Sequence, residues 1–400
     1  MKNLKITLSL IISLLLVMPL LAQDDSENAE DIGFSFTVEK QVKTAPVRNQ
    51  YRSGTCWSFS ANSFLEAELL RMGKEEVDLS DMWPVRHSYY DKAIKYVRMH
   101  GAINFTSGGA FHDVFNVYKK YGIVPEEEYP GLKYGEDKHV HGELDNVLKS
   151  FVDAVKENKN KKLSTAWKEA LNGLLDAYLG VRPKEFRYEG KNFTPKSFAD
   201  HLGLNFDDYV GITSYTHHPF YEEFVLEIPD NWAWGKSFNV SMEEMMDIID
   251  YALSNDYPVC WGADVSEKGF SWTNGVAIVP ETDRPNLDGL EQARWEKMSA
   301  REKDKLLYSF EKPVPEKVIT QEMRQEAFDN YETTDDHGMV IVGIAKDQFN
   351  ATYYLVQNSW DTNNVYDGFF YASKAFVKYK TMNIIVHKDA LPKSVRKKMN

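Results

Sequence analysis

The sequence predicts an α+β fold. Three observations carry this: one strong helix from about Cys56 to Met72, helical periodicity through residues 143–180, and short apolar runs in the C-terminal half that read as buried strands. In chain order, residues 23–40 read as a mobile leader, acidic at Asp24, Asp25 and Glu27. From Gln41 to about Pro130, loops punctuated by Pro, Gly and Asn surround the one strong helix, in which Phe59, Phe64, Leu65, Leu69 and Met72 supply an apolar stripe. Residues 143–180 recur apolar at helical spacing, with the polar run Lys156–Lys162 as the turn between two helices. Pro258–Val265, Gly338–Ile344, Tyr353–Val356 and Gly368–Tyr371 read as short buried strands, with a last one near Met382–Val386. Residues 281–330 are charged, helix-prone and expected at the periphery.

Four hundred residues that are 43% hydrophobic and 13% aromatic bury a large core, which excludes disorder. With 47 basic against 60 acidic residues the net charge is -13, which repels phosphate backbones, so nucleic acid is not expected as a partner. Two cysteines, Cys56 and Cys260, are too few for a disulfide scaffold or a cysteine-rich metal site.

Lys2 and Lys5 precede an uncharged run from Ile6 to Gln23, followed by an acidic stretch. That order reads as a secretory signal peptide over residues 1–22, cleaved after Ala22, with a retained membrane anchor as the alternative. Cleavage leaves 45 basic and 60 acidic residues, a net charge of -15, and no stable membrane insertion. The expected location is outside the cytoplasm, in the bacterial periplasm.

The sharpest local signal is Gln50-Tyr-Arg-Ser-Gly-Thr-Cys56-Trp57-Ser-Phe-Ser-Ala. A glycine loop delivers Cys56 to the start of a helix, where unpaired backbone N–H groups and the macrodipole favour a thiolate. A thiol also needs a base. His337, in Asp-Asp-His337-Gly-Met-Val, enters a buried strand at a position suited to the rim of a cleft. Asn358, in Val-Gln-Asn358-Ser-Trp360, ends the next strand, where it is placed to orient the imidazole.

Taken in order, Gln50 before Gly54-Thr-Cys56-Trp57, then Ser107-Gly108-Gly109, Gly122-Ile-Val-Pro-Glu-Glu-Glu-Tyr-Pro130, His337 and Asn358-Ser-Trp360 resemble the papain-like cysteine peptidases. In simple members the His follows the Cys by roughly 130–150 residues. Here the separation is 281, so about 130 residues are inserted, at about 131–257. Leu179-Gly-Val-Arg-Pro-Lys-Glu-Phe186, Thr194-Pro-Lys-Ser-Phe198, Asp208-Tyr-Val210, Phe238-Asn-Val240 and Pro258-Val-Cys-Trp-Gly-Ala-Asp264 look like the insertion of the bleomycin hydrolase and aminopeptidase C branch.

The resemblance implies a papain-like fold over residues 41–392, with a helical left part, a β-barrel-like right part and a large, mainly helical insertion. It implies peptide-bond hydrolysis on short or unfolded peptides, with Cys56 as nucleophile, His337 as base then acid, Asn358 orienting the imidazole, and Gln50 donating to the oxyanion with the Cys56 backbone N–H. A Cys56–His337 ion pair would lower the thiol pKa. Gly108 and Gly109 would pair with substrate backbone, Trp57 would support the site, and Trp360 would cover the His337–Asn358 bond. No cofactor is implied. A homo-hexameric ring is.

Ser53 stands where the usual papain motif has a second Cys, as in the bleomycin hydrolase branch, and Gly338 stands where Ala is common. After the last strand only a short basic tail follows, residues 393–400, with Lys393, Arg396, Lys397 and Lys398. Eight extended residues reach about 26–29 Å, and these charges repel a cationic amino terminus. The resemblance implies aminopeptidase C-like action, and the tail puts strict removal of amino-terminal residues in question: a relaxed, endopeptidase-like preference, a cell-wall peptide amidase and a silent peptide-binding protein are the alternatives. Cys260 reads as a buried structural thiol. His217 and His218 are adjacent with no third ligand at helical or turn spacing, so no metal is expected there. Trp232 and Trp234 read as packing residues.

Overall fold

The computed structural model describes residues 33–282 and 289–399. The export segment and residues 23–32 of the leader lie outside the described residues. The rest of the leader is built into the fold, not mobile. Phe36–Gln41 is strand β1, antiparallel to residues 343–347 of a long C-terminal strand. The cause is aromatic: the Phe36 ring stacks 3.9 Å from Tyr371 and sits edge-on to Tyr353 at 4.9 Å.

Three helices, rather than one, occupy the region before Pro130. Helix α1 (Cys56–Arg71) is buried almost all round; α2 (Met82–Arg98) and α3 (Phe111–Tyr121) pack beside it. The α2 stripe is hidden in the sequence because buried Arg86, His87 and Lys92 interrupt Trp83, Val85, Tyr89 and Ala93. Its Pro84 falls in the first turn, where no backbone donor is lost.

The insertion opens with two helices, α4 (Gly142–Lys156) and α5 (Ala166–Leu179), which bury Leu144, Leu148 and Val152 and Leu171, Leu175 and Leu179. A small hairpin, β2 (Phe186–Tyr188) and β3 (Lys191–Phe193), and helix α6 (Pro195–Leu202) follow. The insertion then turns to strands β4 (Tyr209–Thr213), β5 (Glu223–Val225) and β6 (Lys236–Asn239) before helix α7 (Met242–Ser254). Those three strands extend the main sheet, so the insertion is continuous with the body.

The remaining elements are β7 (Val259–Ala263), the short β8 (Phe270–Ser271) and β9 (Val276–Ala277), and helices α8 (Gly289–Lys297), α9 (Ala300–Leu307) and α10 (Gln321–Asp329). Then come β10 (His337–Asp347), β11 (Thr352–Gln357), β12 (Phe369–Ser373), α11 (Lys374–Lys380), β13 (Thr381–His387) and α12 (Lys393–Arg396). The expected periphery is corrected at α10: Arg324 is fully buried and its Nε donates to the Ser214 carbonyl at 2.9 Å.

The sheet runs β5-β6-β4-β13-β7-β10-β11-β12-β9-β8, with β1 also on β10. Strand β10 pairs with β7 over residues 337–341 and with β1 over 343–347. Its side chains alternate between two cores. Val340 and Val342 face the core shared with α1 to α5, and Met339 and Ile341 face the one shared with α7 and α11. A strand buried on both faces fixes its own position, and with it the placement of His337 at its first residue.

Candidate active site

Cys56 is the first residue of α1, and its loop is fastened at several points. The Gln50 amide Nε2 donates to the Ser53 carbonyl at 2.8 Å and Ser53 Oγ donates back to the Gln50 carbonyl at 2.8 Å. Ser359 Oγ donates to Gln50 Oε1 at 2.7 Å, and the Gln50 backbone N–H donates to the Ser359 carbonyl at 2.9 Å. The nucleophile loop is thereby tied to the residue following Asn358. One N–H of the Gln50 amide is spent on Ser53, leaving the other free to donate.

His337 and Asn358 are 5% and 3% exposed. The His337 Nε2 lies 2.7 Å from Asn358 Oδ1, so Nε2–H donates to Asn358 and Nδ1 remains the basic nitrogen. Asn358 Oδ1 also accepts from the Ser359 N–H at 2.8 Å, which fixes the amide. Trp360 covers the imidazole, its ring 4.5 Å from that of His337, and is itself held edge-on by Phe270 and Trp272.

Cys56 and His337 line one cleft. Trp57, Gly109, Ala110 and Phe111 form its helical wall, and Gly262, Asp335, Asp336, Gly338 and Asn383 its sheet wall. Ile228 and Asp230 reach in from the insertion. Burial pushes the Cys56 thiol up to about 12, against the pull of the Gly338 and Trp57 backbone and with Asp335 and Asp230 adding to the rise. Burial likewise pushes His337 down to about 4, partly offset by Asn358. The helix-start effect expected for Cys56 is thus outweighed by burial, and each group alone is held neutral.

Gly109 lines the cleft beside Cys56, and Gly108 precedes it. A Cβ on Gly108 would fall 1.9 Å from Asp230 Oδ2, and one on Gly109 would fall 2.8 Å from the Trp57 ring. The bareness of Gly108 therefore admits the Asp230 carboxylate. Trp57 Nε1 donates to the Ser107 carbonyl at 3.0 Å, and Lys92 Nζ donates to the carbonyls of Thr106 and Gly108. Lys92 was not legible as a site residue. Its stem is buried in α2, and only the fold brings its amine, pushed down to about 8 by burial, under the loop.

The sequence also gave no reason to single out Asp230 or Asp335. Asp335 is visible beside His337 in the Asp-Asp-His run, whereas Asp230 sits in the insertion and reaches the cleft through the fold alone. Cys260 is fully buried in β7, its thiol pushed up by burial, in keeping with a structural role. Trp232 is buried near Lys92, and the half-exposed Trp234 carries Lys95 Nζ 3.4 Å over its ring; neither lines the catalytic cleft.

The family described as Peptidase C1-like matches residues 17–280 and 289–400. The chain belongs to the Peptidase C1-like family. It is a cysteine peptidase with an α+β, papain-like fold. Aminopeptidase C of Lactobacillus delbrueckii subsp. lactis is 23% identical over 94% of this peptidase and 86% of its own length. Aminopeptidase G of the same organism is 24% identical over 88% and 83%. Among solved structures, PepW from Lactobacillus rhamnosis HN001 superposes with a TM-score of 0.67 at 19% identity, covering 91% of this peptidase and 84% of PepW, which shows the shared fold.

Proposed function

We propose that this peptidase removes residues from the amino termini of short peptides, with the substrate's α-ammonium held by carboxylates of the cleft. The observation that carries the reading is the pair Asp230 and Asp335 lining the cleft beside Cys56. Asp335 has two carboxylates as its charged neighbours, and burial together with Asp230 and Asp336 pushes it up to about 7. A part-buried carboxylate next to other carboxylates is relieved by a cation, and an α-ammonium supplies one. The names of the relatives, aminopeptidases C and G, support the same class.

In this reading Cys56 Sγ gives its proton to His337 Nδ1 and attacks the carbonyl carbon of the first peptide bond. The oxyanion accepts from the second Gln50 N–H and the Cys56 backbone N–H, and Asn358 keeps the imidazolium facing the leaving amine, which takes the proton. Water then resolves the acyl-enzyme by the reverse transfer. The relaxed preference expected from the basic tail gives way to the cleft carboxylates, which do the selecting.

Comparison of a free-amino aminoacyl fluorogenic substrate with its N-acylated counterpart tests this. A preference for the free amine above about a hundredfold, roughly 2.7 kcal/mol, is expected, with Asp335→Asn losing about ten- to hundredfold on the free amine alone. Equal rates on both substrates would overturn it. The reading includes export of the mature chain, supported by the Lys2/Lys5 and Ile6–Gln23 pattern and tested by amino-terminal sequencing of protein from a periplasmic fraction.

A further inference from the structure

The histidine pair set aside on sequence grounds acquires a third ligand through the fold. His217 and His218 sit in the turn after β4, and Glu227 lies just after β5. His217 Nε2 is 3.1 Å from Glu227 Oε2, and His218 Nε2 is 2.8 Å from Glu227 Oε1. One ligand atom from each of the three residues lies within 4.8 Å of the others. Ligands about 2.0–2.2 Å from a tetrahedral zinc ion stand roughly 3.4 Å apart, so the cluster takes the ion once its widest separation, at most 4.8 Å, closes by about 1.4 Å or less.

The rings are also held in place before any ion arrives. The imidazole of His217 stacks on Phe328, at 5.5 Å and 15°, and that of His218 stacks on Phe224, at 4.2 Å and 24°. Behind His217, the Gln325 amide faces Nδ1, with Nε2 at 3.1 Å and Oε1 at 3.3 Å, and Oε1 is fixed by the Thr216 N–H at 2.6 Å. Without an ion, His217 Nε2–H donates to Glu227; an ion taking that nitrogen's lone pair would leave Nδ1–H to donate to Gln325 Oε1, the arrangement that orients metal-bound imidazoles. The side chains of His217, His218 and Glu227 are 28%, 36% and 55% exposed, which leaves water access to a fourth position.

We infer that His217, His218 and Glu227 form a binding site for one divalent zinc ion on the insertion. Two imidazoles and one carboxylate select a borderline transition ion over calcium or magnesium, which take oxygen ligands. The site ties the turn after β4 to the segment that continues through Ile228 to Asp230, both of which line the cleft at Cys56. The ion would therefore brace the segment that carries one of the cleft's carboxylates.

The test uses the full chain carrying Cys56→Ala, so that zinc cannot bind the nucleophile. Calorimetric titration with zinc chloride should show one ion per chain, and the thermal midpoint should rise with zinc concentration. Adding His218→Ala or Glu227→Gln should weaken binding at least about a hundredfold and abolish the thermal shift, whereas Gln325→Ala should weaken it about ten- to hundredfold. Cobalt bound in place of zinc should show visible absorption of a four-coordinate nitrogen and oxygen site, lost in the His218→Ala chain. Zinc binding unchanged by both ligand substitutions, or no saturable binding in a folded Cys56→Ala chain, would overturn the site and leave only a hydrogen-bonded His–Glu cluster.

Discussion

His337 and Cys56 are each pushed toward neutrality by burial, so in the proposed mechanism the thiol would owe its reactivity to its base and not to the helix start alone. Removing the base isolates the effect. In a His337→Ala chain the thiol, held up toward 12, is almost wholly protonated at pH 7. Its alkylation by iodoacetamide should fall more than about a hundredfold and then climb about tenfold per pH unit from 7 to 10, because the thiolate fraction does. Mass spectrometry of the Cys56 peptide reads this out, and a flat rate over that range would mean that burial does not hold the thiol up. Gln50→Ala removes a donor that is useful only once the carbonyl oxygen becomes an anion. It should lower kcat on the order of 10²–10³ with little change in KM; steady-state kinetics showing a rise in KM alone would make Gln50 a binding residue.

At the scale of elements, what the sequence disclosed and what it hid divide along one physical line. The α4–α5 pair announces itself because its buried face is apolar at helical spacing, and helix α1 and the strands β7, β10, β11 and β12 because they concentrate large apolar residues between turn signals. The residues Cys56, His337 and Asn358 were legible because each stands at an end of such an element, where loop chemistry is local. Helix α2 was hidden by burying Arg86, His87 and Lys92, and Asp230 and Glu227 meet their partners only through the long return of the insertion. Strand β1 was hidden for a different reason: four of its residues, Thr37, Val38, Glu39 and Gln41, are exposed, and its anchorage rests largely on Phe36. Phe36→Ala should therefore cost about 2–3 kcal/mol, seen as a lowered midpoint in denaturant unfolding with catalytic constants unchanged at saturating stability. A loss under about 0.5 kcal/mol would show that the β1 pairing, not the ring, does the anchoring.

At the scale of the whole molecule, the basic tail and the catalytic cleft are held apart. Helix α12 buries Val395 in the core under α7, and Arg396 donates to the Leu391 and Asp389 carbonyls. Lys398 Nζ pairs with Glu244 at 2.6 Å and reaches the Tyr221 hydroxyl at 3.0 Å. None of these partners lines the cleft. Lys398 is therefore spent on Glu244, away from the cleft, while Asp335 beside Cys56 has only carboxylates as its charged neighbours and remains open to an amine. Ending the chain at Arg396 removes Lys398 while keeping the buried Val395. The exposed pair it breaks is worth at most about 1 kcal/mol, so the fold should persist. The preference for a free-amino over an N-acylated substrate should stay within about threefold of the full chain's, while Asp335→Asn in the same shortened chain should lower it about ten- to hundredfold. The pH dependence separates the two sources further. Asp335 is pushed up to about 7, so its anionic form, the one that holds an ammonium, is present above that pH and lost below it. With Asp335 intact, kcat/KM on the free amine should fall as pH drops through 7 while the N-acylated substrate is spared, and in the Asp335→Asn chain that difference should vanish. A preference that collapses on shortening the tail and ignores Asp335→Asn would place amine recognition at the chain's end instead.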